Sequence, residues 1–137
     1  MCHLSLTLRV YIMTAKLIRN ALQTPDGTLL ESRSRHDYKT HVDANGKTYM
    51  IDGGLDYVRC SANGDEIHLS VFDDDPFDKV REAATWGTYG INGDQPLSYI
   101  KLCDMETEHI KAVLKLSNVY PQYIGAMKKE LEYRGKS

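Results

Sequence analysis

Apolar and polar positions alternate through the first two thirds of the chain, and apolar positions recur every three to four residues in the last third. A period of two predicts half-buried strands, and a period near 3.6 predicts helices with one apolar face. Residues 16–19 read as a short strand. Pro25-Asp26-Gly27 marks a turn and residues 28–32 are extended. Residues 38–42 alternate, Asp43-Ala44-Asn45-Gly46 turns the chain, and residues 47–51 return. An Asn-Gly step between β-rich runs is a hairpin signal. Residues 55–60 follow a Gly53-Gly54 pivot, and Asn63-Gly64 marks a further turn. Residues 66–72 place Ile67, Leu69 and Val71 on one face of a single strand.

The helical third begins with residues 78–84, led in by Asp73-Asp74-Asp75. Carboxylates ahead of a helix favour its positive end, so the triplet reads as a lead-in rather than a metal site. Residues 97–102 are extended. Asp104 is placed to cap a helix over residues 105–116, whose core face is Ile110, Val113 and Leu114. Pro121 and Gly135 bracket a last helix, with Ile124, Met127 and Leu131 on one stripe. The fold class expected is α+β, an antiparallel meander sheet with C-terminal helices.

Composition adds limits. The 137 residues are 42% hydrophobic and 26% charged, which suits one globular domain. A formal charge of −2 argues against a sheath around duplex nucleic acid and leaves room for a small anion held by a few arginines. Residues 1–12 carry an apolar string that is too short to span a membrane and is interrupted by Arg9. Met13 reads as a second start, so residues 1–12 are taken as a leader and residues 13–137 as one ligand-binding domain. Cys2, Cys60 and Cys103 are widely spaced, form no CxxC, and as scattered thiols suit a reducing cytoplasm.

Candidate chemistry lies in two places. The first is Arg33-Ser34-Arg35-His36-Asp37-Tyr38, joined by Arg59 after the glycine pivot. Guanidinium forks match phosphate oxygens, so Arg33, Arg35, Arg59 and His36 form a phosphate clamp or, alternatively, a solvated turn with surface ion pairs. The second is the loop holding Trp86, Tyr89 and Asn92 among Gly87, Gly90 and Gly93. Aromatic faces stack on nucleobases, and an Asn amide both donates and accepts. The competing reading makes Trp86 the largest core side chain and Asn92-Gly93 a plain hairpin turn. His3-Leu4-Ser5 and His68-Leu69-Ser70 resemble the paired motifs of two-histidine phosphodiesterases, which use one histidine as base and one as acid. His36 and His41 lack metal-ligand spacing. No P-loop, Rossmann fingerprint or nucleophile–base set is present, which favours a binder over an enzyme, with a protein-interaction module that inhibits an enzyme as a further alternative.

Residues 17–20, 31–38 and 52–59 resemble a small domain of phage and prophage genomes. Thr24-Pro25-Asp26-Gly27 and Val42-Asp43-Ala44-Asn45-Gly46 stand where related sequences carry cysteine pairs, so zinc is not expected. Residues 86–90 through Gln95-Pro96-Leu97, with residues 105–110 and 130–134, resemble a phage accessory protein. By overall pattern the chain is similar to the first type of Thoeris anti-defence sponge proteins, phage proteins that sequester glycocyclic ADP-ribose without cleaving it. That resemblance implies a homo-oligomer in the bacterial cytoplasm that holds a cyclic nucleotide signal. It implies no cofactor, metal, catalytic residue, membrane or nucleic-acid polymer. Arginines would meet the pyrophosphate, an aromatic the adenine, and Asn92 the ribose hydroxyls.

Overall fold

A computed structural model describes residues 15–90 and 92–135. It is an α+β structure of open antiparallel sheets with helices toward the C-terminus. The reading of residues 1–12 as a leader, and those of Cys2 and His3, lie outside the described residues. The chain gathers into two compact units that meet in sequence at Asp74 and Asp75. Each is described by itself.

In the first unit, β1 (Leu17–Gln23) is longer than its apolar pattern suggests and is almost wholly buried. The pattern breaks at Asn20, a polar residue in a core position. It is fully buried and its amide donates to the carbonyls of Asp52, Gly54 and Tyr57 at 2.9–3.0 Å. β2 (Leu29–Ser32) pairs antiparallel with β1, bringing Leu30 opposite Leu22. β3 (Lys39–Val42), β4 (Thr48–Asp52) and β5 (Arg59–Cys60) form a second sheet in chain order, a true meander. Leu22, Leu30, Tyr49 and Ile51 form the core cluster, with Cys60 packed on it. Each such side chain contributes about 1.5–3 kcal/mol by leaving water.

The single strand expected over residues 66–72 divides into β6 (Ile67–His68) and β7 (Val71–Phe72), which pair with different parts of β1. At the break, Ser70 Oγ accepts from the Ala21 amide at 3.2 Å, and Leu69 N donates to Ala21 O. The face therefore changes. Ile67 is half exposed and Val71 is buried. Asp73 is no helix lead-in, because its carboxylate accepts from Lys16 N at 2.9 Å and closes the end of β1.

In the second unit, α1 (Phe77–Ala83) begins after Pro76. β8 (Thr85–Thr88) and β9 (Ser98–Lys101) form the hairpin, with Trp86 opposite Ile100 and Gly87 opposite Tyr99. A 3-10 turn at Leu102–Asp104 consumes Asp104, so α2 (Thr107–Val113) starts later than expected, behind Glu106 and with no side-chain cap. α3 (Pro121–Tyr133) runs as expected from Pro121, and Gly135 follows at φ +74°. Its buried stripe carries Met127 and Leu131 together with Glu130, which is fully buried between Arg81 and Arg134.

Candidate functional site

Between β2 and β3 the chain makes a tight loop that carries Arg33, Arg35, His36 and Tyr38. Ser32, buried at its base, holds the loop from below. Its hydroxyl donates to Asp37 O at 2.7 Å and accepts from Gly54 N at 2.8 Å. The Asp37 carboxylate accepts from Arg33 N at 2.9 Å, and Asp37 N donates to Ser34 O. Hydrogen bonds and nearby cations hold the Asp37 carboxyl below its ordinary value, although burial pushes the other way. Gly54, at φ +56°, lies so close under Ser34 that a Cβ there would collide with the Ser34 backbone. Only glycine tolerates both conditions. The turn over residues 53–57 is fixed in turn by the Asn20 amide. Two loops distant in sequence are thus locked together by one buried amide and one buried hydroxyl.

This lock brings Arg59 to the loop, as the sequence suggested. The Arg59 guanidinium lies over the Tyr38 ring, 6.0 Å from its centre. Both side chains are open, Tyr38 at 53% and Arg59 at 62% of full exposure. Arg59 Nη2 also reaches the Asp52 carboxylate at 3.1 Å, which itself accepts from Gly53 N. Arg33 pairs with Glu31 at 3.3 Å, and Glu31 takes Arg19 as well. The ion-pair alternative therefore describes Arg33 in this structure. Arg35 and His36 are exposed, and neither side chain has a hydrogen-bond or ion-pair partner among the described residues.

The hairpin of the second unit divides its aromatic residues between two faces. Trp86 is half-buried and joins Leu102, Met105, Tyr123 and Met127 in lining an apolar niche with no room for a water molecule. That face of the indole is core packing. On the Gly87 side, a Cβ would meet the Tyr99 ring and Leu97 at 3.2 Å. Leu97, Tyr99 and Tyr89 are all about half exposed. Alternation along β8 separates Trp86 from Gly87, and the register then places Tyr99 across from Gly87. Tyr99 was legible from that alternation and the sequence reading passed over it. Asn92 is exposed in the turn, where Gly93 N donates to Gly90 O at 3.1 Å and Gln95 N to Tyr89 O at 2.8 Å. The Asn-Gly turn is where the sequence puts it.

Other sequence candidates resolve individually. His68 is exposed at the end of β6, and partial burial pushes its imidazole below the ordinary value. Its proposed partner His3 lies outside the described residues. His41 Nε2 lies 2.8 Å from Asp26 Oδ2 and 3.3 Å from Thr28 Oγ1. Both contacts use one ring nitrogen, so this is a brace between turn and strand and not a relay. The Asp26 carboxyl is held far below its usual range by hydrogen bonds from Thr24, His41 and Thr28. Among the described residues no group of three or more His, Cys, Asp or Glu side chains is arranged to hold a metal. No helix there is long and apolar enough to cross a membrane. Cys103 is a free thiol, whereas Cys60 is disulfide-bonded, which corrects the expectation of scattered free thiols. Comparison with protein-family models, curated proteins and solved structures finds no match.

Proposed function

We propose that this protein captures a small anionic cyclic nucleotide and holds it without cleaving it. The bound compound is of the glycocyclic ADP-ribose class, and the protein acts as a phage or prophage anti-defence sponge in the bacterial cytoplasm, a placement that rests on the resemblance alone, since a bonded Cys60 removes the free-thiol argument for a reducing compartment. The observation that carries the reading is the rigid loop over residues 33–38. It keeps Arg35 and His36 exposed without side-chain partners among the described residues and receives Arg59 from a second loop. A loop whose backbone is held by buried neighbours loses little backbone entropy when an anion arrives. Arginine supplies a planar fork that pairs with two phosphate oxygens at once. In this reading Arg35 and Arg59 meet the pyrophosphate, His36 adds a donor, and Arg33 joins by exchanging Glu31 for phosphate. The resemblance of residues 17–20, 31–38 and 52–59 to a phage domain supports the biological setting.

The test is thermal melting of the purified protein with glycocyclic ADP-ribose, followed by heat release and chromatography of the ligand. Ligand at a hundredfold excess over its Kd should stabilise the fold by about 2.7 kcal/mol. The compound should be recovered unaltered. Arg35→Ala should abolish most of the ligand-induced shift while leaving the melting point of the free protein in place. No shift with this compound or with a cyclic trinucleotide would overturn the reading. A hydrolysed product lost in His68→Ala would replace it with the phosphodiesterase alternative.

A further inference from the structure

Two neighbours set the orientation of Arg59. Asp52 stands directly across from it where β4 and β5 pair. The Asp52 side chain is only 12% exposed. One of its carboxylate oxygens accepts from Gly53 N at 2.9 Å and the other from Arg59 Nη2 at 3.1 Å. A guanidinium carries five N–H donors, and this contact uses a single nitrogen. Among the described residues no other hydrogen bond engages the rest. One complete two-donor edge therefore remains, which is what a phosphate group requires. The second neighbour is the Tyr38 ring, whose centre lies 6.0 Å from the guanidinium, within cation–π range. Tyr38 is itself held, because its amide donates to His36 O and its loop is locked by Ser32 and Gly54. An arginine with 62% of its side chain exposed ordinarily samples many rotamers. Here a carboxylate holds one nitrogen and a ring backs the cation.

We infer that Asp52 and Tyr38 are positioning residues, which hold Arg59 ready for the ligand's pyrophosphate without touching the ligand themselves. The inference rests on the nucleotide-capture reading given above. A long side chain that must be ordered when an anion binds weakens affinity by about threefold to tenfold. An arginine ordered in advance avoids most of that loss. Charge alone predicts the opposite sign at Asp52, since a carboxylate beside the site repels phosphate and its removal would tighten binding. The geometry favours positioning. Both Asp52 oxygens are already engaged, and the guanidinium it holds balances its charge. Asp52 is thus a support for Arg59, and Tyr38 is the surface against which the cation rests.

The experiment measures binding of glycocyclic ADP-ribose and of inorganic pyrophosphate by calorimetry. It uses the full chain and its Tyr38→Phe, Tyr38→Leu and Asp52→Asn variants, each alone and combined with Arg59→Ala. Tyr38→Leu should weaken both probes by about threefold to tenfold, and Tyr38→Phe, which keeps the ring face, by less than about twofold. Asp52→Asn should weaken both about as much as Tyr38→Leu, because one amide oxygen cannot serve two donors. In the Arg59→Ala background the same substitutions should change affinity by less than about twofold, since residues that act through Arg59 have nothing left to position. Tyr38 is more than half exposed, so its variants should melt with the wild type and decide the question even where Asp52→Asn fails to fold. Losses that persist undiminished beside Arg59→Ala would overturn the inference and leave the capture reading standing. Weakening of the nucleotide alone in Tyr38→Leu would also overturn it, because Tyr38 would then touch the ligand. Tighter binding by Asp52→Asn would do the same for Asp52. Failure of the wild type to bind the nucleotide would remove the capture reading, and the positioning roles with it.

Discussion

Glu130 is the residue of the second unit whose removal should be felt most. Its carboxylate is fully buried on α3 and accepts three short charge-assisted hydrogen bonds. Arg81 Nε and Nη2 approach at 2.7 Å as a fork, and Arg134 Nε approaches at 2.7 Å from one turn along the helix. Arg81 also lies 4.2 Å over the Tyr133 ring, and Arg134 reaches Thr107 Oγ1 and Leu102 O at 3.1 Å. One anion thus ties α1, the 3-10 turn, α2 and α3. Glu130→Ala leaves two guanidiniums facing each other around a cavity. Breaking a buried ion pair from one side costs about 3–5 kcal/mol, and the partial exposure of Arg81 and Arg134, 19% and 18%, places this case near about 3. For a chain of this size that corresponds to a fall in melting temperature of about 10 °C. Glu130→Gln keeps the shape and one acceptor, so its loss should be smaller, about 2 kcal/mol.

The same site sets an acid limb. Burial pushes the Glu130 carboxyl up, but the hydrogen bonds and charges of Arg81 and Arg134 outweigh it and hold the group below its ordinary value. A carboxyl depressed in the folded state stabilises the protein above its unfolded value near 4.5. That stability is lost as the pH falls through the folded value. Urea titrations at pH 7 and at points below pH 4.5 measure both effects. Wild type should lose stability across that acid range more steeply than Glu130→Gln. A Glu130→Ala loss below about 1 kcal/mol at neutral pH, or parallel acid limbs in the two proteins, would refute the reasoning.

Gly54→Ala should destabilise the first unit by about 2 kcal/mol or more and abolish ligand binding, because positive φ and collision with Ser34 coincide; urea unfolding and calorimetry check it. Asn20→Asp should be worse than Asn20→Ala in thermal melting, since a carboxylate would face the three carbonyls that the amide now satisfies. Trp86→Ala should lower stability by about 2–3 kcal/mol, given its half-buried state, and leave nucleotide affinity within about twofold. A large affinity loss without a change in melting would instead give the exposed part of the indole a direct role in binding.

Much of this protein was open to reading from residue order alone. Alternation marked β3 and β4, Asn-Gly marked the turns between β3 and β4 and between β8 and β9, and Pro121 with Gly135 bracketed α3. These signals are local, because backbone sterics and side-chain period act over a few residues. The cation-rich loop and its link to Arg59 were legible too, since Gly53-Gly54 points to a sharp return of the chain. Where tertiary contacts override local preference, residue order misleads. Asn20 looks like the end of a strand and is a buried post inside one. The stretch over residues 66–72 looks continuous, yet Ser70 breaks it by bonding to the backbone of β1. Asp104 looks like a helix cap and is spent in a 3-10 turn. Charge pairing is equally non-local. Nothing in sequence says that Glu31 holds Arg33, that Glu130 meets Arg81 from 49 positions away, or that Arg35 has no side-chain partner among the described residues. Composition and period decide which elements form. Which polar groups are satisfied, and which remain to meet a ligand, depends on partners that only folding brings within 3 Å.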